Sequence, residues 1–255
     1  MAGRRLKIES RRNSIMELLR KHGRVYVSQL SKDFNTTEVT IRNDLTIMER
    51  EGLIMRVQGG AVPMPGGNDS ETKESHISNL AQKQAIAEAV SRMIQDGDTL
   101  FINCGTTTQC VAEALKARRN LNVVTNSISV ATALADVPTI RVLLLGGEVN
   151  AQYGFTYGAN AQEQLSQFQA GWAVLAVDGV SIPGGITTYH AEEAILDRMM
   201  IDGAGHALIV ADGSKIGRTG FSRICECDEK LTVITNGDEA AASQLTSCGM
   251  QIQYV

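Results

Sequence analysis

Two short stretches hold residue types whose spacing suits chemistry. The first is Thr37-Glu-Val-Thr-Ile-Arg-Asn43, where an arginine and an asparagine lie side by side. Arginine fits the O6/N7 edge of guanine, asparagine the N6/N7 edge of adenine, and threonine a phosphate or a thymine methyl. The second is Cys104-Gly-Thr-Thr-Thr-Gln109. Its glycine lets backbone approach an anion closely, and the free N–H groups of a helix start favour negative charge. Three threonine hydroxyls add donors. The stretch lacks the Gly-Lys-Thr end of a nucleotide-binding loop, and an ordinary strand–helix turn with a capping threonine would have the same sequence.

The elements that must position the first stretch read as helical. Ile15, Leu18 and Leu19 form an apolar stripe in a helix near Ser10–Lys21, which stops around Gly23. Leu30 and Phe34 mark a short helix near Ser28–Asp33. Thr37 can cap a third helix that runs to about Glu51, with Ile41, Leu45 and Met48 facing inward, and Gly52 ends it. Leu53–Gln58 reads as a strand closed by Gly59-Gly60. A short helix, a tight turn and a longer helix make a helix-turn-helix, whose second helix can lie in a major groove. Glu38, Thr40, Arg42 and Asn43 would then face DNA beside Thr37, and Arg56 would reach phosphate or minor groove as a wing. A small helical domain that docks a protein, with Arg42 on a solvated face, fits the same pattern.

Charge is divided unevenly. Residues 1–62 carry a net +5 and residues 63–255 a net −9, as suits a head that meets a polyanion. A Gly/Pro-rich break at 59–80 suggests three parts: a head over 1–62, a linker over 63–79 and a body over 80–255.

The body alternates apolar strands with helices. Strands are expected at Thr99–Cys104, Asn122–Thr125, Arg141–Leu145, Ala173–Val177, Ala207–Ala211, Thr232–Thr235 and Gln251–Val255. Helices are expected at Ala85–Ile94, Gln109–Ala117, Ser129–Leu134, Ala161–Phe168 and Glu192–Ile201. That alternation implies an α/β fold with a mostly parallel sheet covered on both faces. Ligands of such sheets bind beyond the carboxyl ends of the strands. Gly105, Thr106, Thr107, Thr108, Asn126, Gly147, Asp178, Gly179 and Lys215 fall there, a set suited to a polyhydroxylated anion, with Lys215 as a point charge for phosphate. Taken singly, Asp178 is equally a turn residue and Lys215 a surface lysine. Gly146-Gly147 and Gly184-Gly185 read as mobile loops.

Thr40-Ile-Arg-Asn-Asp-Leu45, followed by Met48-Glu49, Gly52, Arg56 and Gly59-Gly-Ala61, resembles the deoR-type winged helix-turn-helix of bacterial sugar-catabolism repressors. The resemblance runs from Arg11 to Val255. It adds Gln58 to the DNA-facing set. That family often has arginine at Asn43 and histidine at Gln58, so the operator sequence stays open. Asp44 is implied to hold the fold, through an ion pair. The body resembles ribose-5-phosphate isomerase and CoA-transferase-like proteins, with Gly105–Thr108 matching a phosphate loop, and Asp178-Gly179 and Asp212–Lys215 matching sugar-site loops. Gly185–Ala194 is similar to the amino-sugar and hexitol branches. The resemblance implies a repressor that binds double-stranded operator DNA as a homodimer or homotetramer. It would be relieved by a phosphorylated sugar, amino-sugar or hexitol derivative. No cofactor, metal or catalytic residue is expected.

Other classes are disfavoured. With 43% hydrophobic residues the chain can bury real cores, and no apolar run is long enough for a bilayer. Five scattered cysteines and the absence of an apolar leader fit a cytoplasmic protein. Cys225-x-Cys227 has no second ligand pair at zinc spacing. Glu192 and Glu193, beside His190, read as solvated acids at a helix start. The competing class is a phosphosugar isomerase, with Asp178 and Lys215 supplying part of its acid–base chemistry. A stand-alone isomerase has no need of a DNA-reading head.

Overall fold

A computed structural model describes residues 11–12, 14–16, 18–19, 24–50, 54–57, 59–63, 73–239 and 243–255. The chain divides into two compact units, Met1–Lys73 and Glu74–Val255.

In the first unit, the described residues between 11 and 19 are helical (α1). There follow β1 (Val25–Tyr26), α2 (Val27–Asp33), α3 (Glu38–Arg50), β2 (Ile54–Val57) and β3 (Gly60–Pro63). The inward positions Ile15, Leu19, Leu30, Ile41, Leu45 and Met48 are all buried, with Ile54 and Ala61 closing the core. Each helix is therefore fixed by one apolar stripe. Thr37 does cap α3, accepting the Thr40 N–H at 3.2 Å. Asp44 is buried on α3 and is held by Arg11 at 2.7 Å and Arg12 at 3.2 Å, so a paired carboxylate pins α1 to α3.

The wing differs from expectation. Gly60–Pro63 is not the start of a linker. It is a strand lying antiparallel between β1 and β2. Gly60 permits this because a Cβ there would run into the Val25 carbonyl. The expected linker also loses its far end, since 73–79 belong to a helix, α4 (Lys73–Met93). Gly23, Gly52, Leu53, Gln58 and the rest of the expected linker, 64–72, lie outside the described residues.

The second unit is built on seven parallel strands: β4 (Thr99–Ile102), β5 (Asn122–Thr125), β6 (Arg141–Leu144), β9 (Ala170–Ala176), β12 (Ala204–Val210), β14 (Leu231–Thr235) and β15 (Gln251–Tyr254). Their order is β15-β14-β12-β9-β4-β5-β6. Successive residues of each strand face opposite layers. Leu100, Ile102, Val174, Leu208 and Val210 pack with helices α4, α5 (Thr106–Leu115) and α6 (Ile128–Ala135). Phe101, Ala173, Leu175, Ala207 and Ile209 pack on the other side with α7 (Ala159–Leu165) and α8 (Ala191–Asp202).

Two small sheets were not expected. One is the hairpin β7 (Glu148–Asn150) and β8 (Phe155–Tyr157); the other is β10 (Gly179–Ser181), β11 (Gly185–Thr188) and β13 (Ser222–Cys225). Of the glycine pairs read as mobile loops, Gly184 is buried at the end of a turn and Gly185 begins β11, while Gly146-Gly147 is an exposed link between β6 and β7. A Cβ on Gly147 would strike the Tyr157 carbonyl, and one on Gly184 would lie 2.5 Å from Thr219.

Candidate functional site

On the first unit, α3 presents one exposed face. Thr37, Glu38, Arg42 and Asn43 are exposed, Thr40 is half-buried, and Arg56 is exposed on the wing. Arg42 pairs with Glu38 one turn earlier at 2.7 Å. Arg56 donates to the Thr46 hydroxyl at 3.1 Å, and its backbone N–H donates to Glu49 at 3.0 Å. These contacts tie the wing strand to α3, so helix and wing present their cations together. A notch of about 250 Å³ between them is lined by Ser28, Glu38, Arg42, Arg56 and Gly59-Gly60. Gln58 lies outside the described residues.

On the second unit, the sheet order places β9 beside β4 while β5 and β6 lie on β4's other side. The chain therefore reverses its winding between β4 and β9, the point where open α/β sheets carry their ligand crevice, beyond the carboxyl ends of the strands. Asn103 stands at that fork. Its side-chain oxygen accepts the Ala176 N–H at 2.8 Å, and its amide donates to the Ala176 carbonyl at 2.9 Å and to Asp197 Oδ1 at 3.1 Å. Gly105 comes next and is required there, because a Cβ would lie 2.5 Å from the Ala176 Cβ. Gly105, not a threonine, caps α5, and no side chain bonds the helix's first N–H groups. Thr106 is exposed and Thr107 buried, while the Thr108 hydroxyl is 3.0 Å from the carbonyls of Asn103 and Gly105.

Asp178 follows β9. Its Oδ2 accepts the Tyr189 N–H at 3.0 Å and lies 3.1 Å from the Thr188 hydroxyl, while its Oδ1 is 3.7 Å from Lys215 Nζ. Lys215 closes a 3-10 turn after β12, the neighbouring strand, capped by Asp212. Asn126 is fully buried after β5 and donates to the Thr156 carbonyl at 3.4 Å. The absent side chains of Gly147 and Gly179 have a packing cause: Cβ atoms there would strike the carbonyls of Tyr157 and Arg218.

Sequence reasoning misplaced Glu193. It is not solvated but buried on α8, and Asp197 is buried one turn later. The Thr188 hydroxyl lies 3.1 Å from Glu193 Oε2. Burial and the neighbouring Asp197 push the Glu193 carboxyl well above its usual range, and burial alone is the largest cause that lifts Asp197 to about 8. Cys104, close to both, is raised to about 11 chiefly by burial. The signal was present: Glu193, Leu196, Asp197 and Met200 share one helical stripe, so the acids sit on the inward face. Among the described residues, three buried side-chain atoms have no hydrogen-bond partner: Asn126 Oδ1, His190 Nε2 and Asp197 Oδ2. All three belong to segments at or beside the carboxyl ends of the central strands. His190 stacks against Tyr153 and Phe155 of the β7–β8 hairpin, with ring centroids 4.5 and 5.6 Å away. No group of three or more metal-ligating side chains forms among the described residues.

A winged helix-turn-helix joined to a doubly wound α/β unit with a polar crevice defines a class of ligand-responsive DNA-binding regulators. Residues 11–64 match the DeoR-like helix-turn-helix domain, and residues 78–237 match the DeoR C-terminal sensor domain. The chain is 31% identical to a putative aga operon transcriptional repressor of Escherichia coli O157:H7, over 96% of this chain and 93% of that protein. It is 32% identical to the glycerol-3-phosphate regulon repressor of Escherichia coli K12, over 85% of this chain and 86% of that one. It therefore belongs to the DeoR family of DNA-binding transcriptional regulators. Among solved structures it is similar to ribose 5-phosphate isomerase A of Methanocaldococcus jannaschii, at 12% identity and a TM-score of 0.39, with 54% of each chain covered.

Proposed function

We propose that this chain represses a sugar-catabolism operon and that a phosphorylated sugar or sugar derivative relieves the repression. The Thr37–Asn43 face of α3 enters the major groove, with Arg56 and Gln58 of the wing on the adjacent backbone or minor groove. The effector lies at the strand-end crevice, its phosphate at Gly105–Thr108 and its hydroxyls toward Asn126, Asp178 and Lys215. Gly147 and Gly179 border this crevice. One observation carries the effector assignment. Among the described residues, three unpartnered buried polar atoms collect at the same end of the sheet as a helix start whose cap, Gly105, has no side chain, and such atoms are costly unless a ligand or water satisfies them.

DNA affinity responds only if the effector binds the two states unequally. A dimer or tetramer suits operators of matching symmetry, and a cytoplasmic location suits operator access. The test is a mobility shift on the chain's own upstream DNA with hexose, hexitol and amino-sugar phosphates. Release by one phosphate and not by its unphosphorylated parent supports the reading. A Lys215→Ala variant that binds operator but ignores the same phosphate places the site; unchanged release moves it elsewhere. Turnover of those phosphates would instead favour the isomerase reading, for which Asp178 and Lys215 stand 3.7 Å apart.

A further inference from the structure

Glu193 sits 8% exposed, one turn before the fully buried Asp197. Among the described residues, the charges that act on it are Asp197 on its own helix and Asp178 after β9; Cys104 after β4 lies close to both acids of α8, His190 starts that helix, and Arg198 on α8 acts on Cys225 of β13. Lys215 reaches Asp178 at 3.7 Å, while Glu193's hydrogen bond is to Thr188. The Thr188 hydroxyl lies 3.1 Å from both Asp178 Oδ2 and Glu193 Oε2. That hydroxyl has one proton, which two carboxylates at equal distance can share only as a weakened, bifurcated bond. Asp178 has other partners, since it faces Lys215 at 3.7 Å and accepts the Tyr189 N–H. A proton on buried Glu193, donated back to the Thr188 oxygen, gives each of the two 3.1 Å contacts a proton of its own.

We propose that Glu193 is held as a neutral acid at neutral pH and acts as a positioning residue. Its proton completes a Glu193–Thr188–Asp178 chain that fastens the first turn of α8 to the carboxylate facing Lys215. Loss of that proton leaves two anions at one hydroxyl and breaks the chain. The inference rests on the crevice being the effector site only in its consequence: response to effector weakens at alkaline pH while DNA binding does not.

The protonation itself is tested without ligand. In the full-length chain with 13C-labelled glutamate side chains, one carboxyl is expected to keep the chemical shift of a protonated acid at pH 7, and Glu193→Gln is expected to remove that signal. A spectrum in which every glutamate is ionised at pH 7 overturns the proposal. Stability is the second readout. A folded-state carboxyl raised above its unfolded value near 4.3 binds a proton the unfolded chain has lost. Stability therefore falls as pH rises from about 4.3 toward the folded-state value. Each retained proton contributes up to about tenfold in the folding constant per pH unit, and Asp197 acts in the same sense. Glu193→Gln, whose amide can donate to Thr188 as the acid does, is expected to reduce the fall by about tenfold per unit. A slope equal to the parent's overturns the assignment. If these ligand-free results hold and no sugar phosphate releases DNA at any pH, the effector reading fails and the proton assignment stands.

Discussion

Two buried carboxylates, Asp44 in the DNA-binding unit and Glu193 in the sensor unit, solve the same problem in opposite ways. Asp44 is neutralised by two guanidinium groups at 2.7 and 3.2 Å. Glu193 sits beside further acids and is pushed toward its neutral form. A charge that is matched by its surroundings works as a fastener. A carboxyl left among like charges costs stability as an anion and persists where a site needs it. The contrast separates a residue that holds a fold from one that belongs to a site, although both are acids on the inner face of a helix.

The comparison breaks most sharply at Asp44. Asp44→Ala strands two cations against the helix, and removal of one partner of a buried pair costs about 3–5 kcal/mol. Urea unfolding of the head should show this, and a loss under about 1 kcal/mol would make Asp44 no fastener. Next is the exposed face. Arg42→Ala should weaken operator binding by about 1–3 kcal/mol while leaving thermal stability within about 0.5 kcal/mol. Arg56→Ala should weaken all sequences alike and lower the salt dependence of binding. Full retention of affinity in both would remove α3 from the groove. Asn43→Arg sharpens the same point: if Asn43 reads a base, selection from a randomised operator library should shift at one position, again by about 1–3 kcal/mol. The smallest effect belongs to Thr37, whose cap on α3 is worth about 1 kcal/mol. Thr37→Ala should lower the head's stability by that amount, and Thr37→Ser should restore it.

Much of this architecture was legible before coordinates. All seven strands of the large sheet were apparent as short runs rich in apolar residues; the inner ones, such as Leu231–Thr235, are buried on both faces, while the edge strands β6 and β15 are partly exposed. The three-stranded accessory sheet was not. Its strands are short, and Gly179, Gly185 and the threonines around them read as turn. β3 was hidden for a similar reason, since Gly60 and Pro63 signal a break although both are compatible with the wing's middle and end. At the site, Gly105 was singled out as a glycine at a helix start that lets backbone approach an anion; its closeness to Ala176, which only the fold brings about, gives it a packing reason as well. Asn103 was passed over because a lone amide after an apolar strand has no periodicity to betray it. Glu193 was misread because local charge next to a helix start outweighed the spacing that placed it beside Leu196 and Met200.

Within β9, Val174 and Leu175 are adjacent in the chain yet belong to different layers of the sensor unit. One strand thus seats two separate cores, and at its carboxyl end, where Asn103 bonds both Ala176 and Asp197, a polar link passes from the strands to the stratum that carries α8.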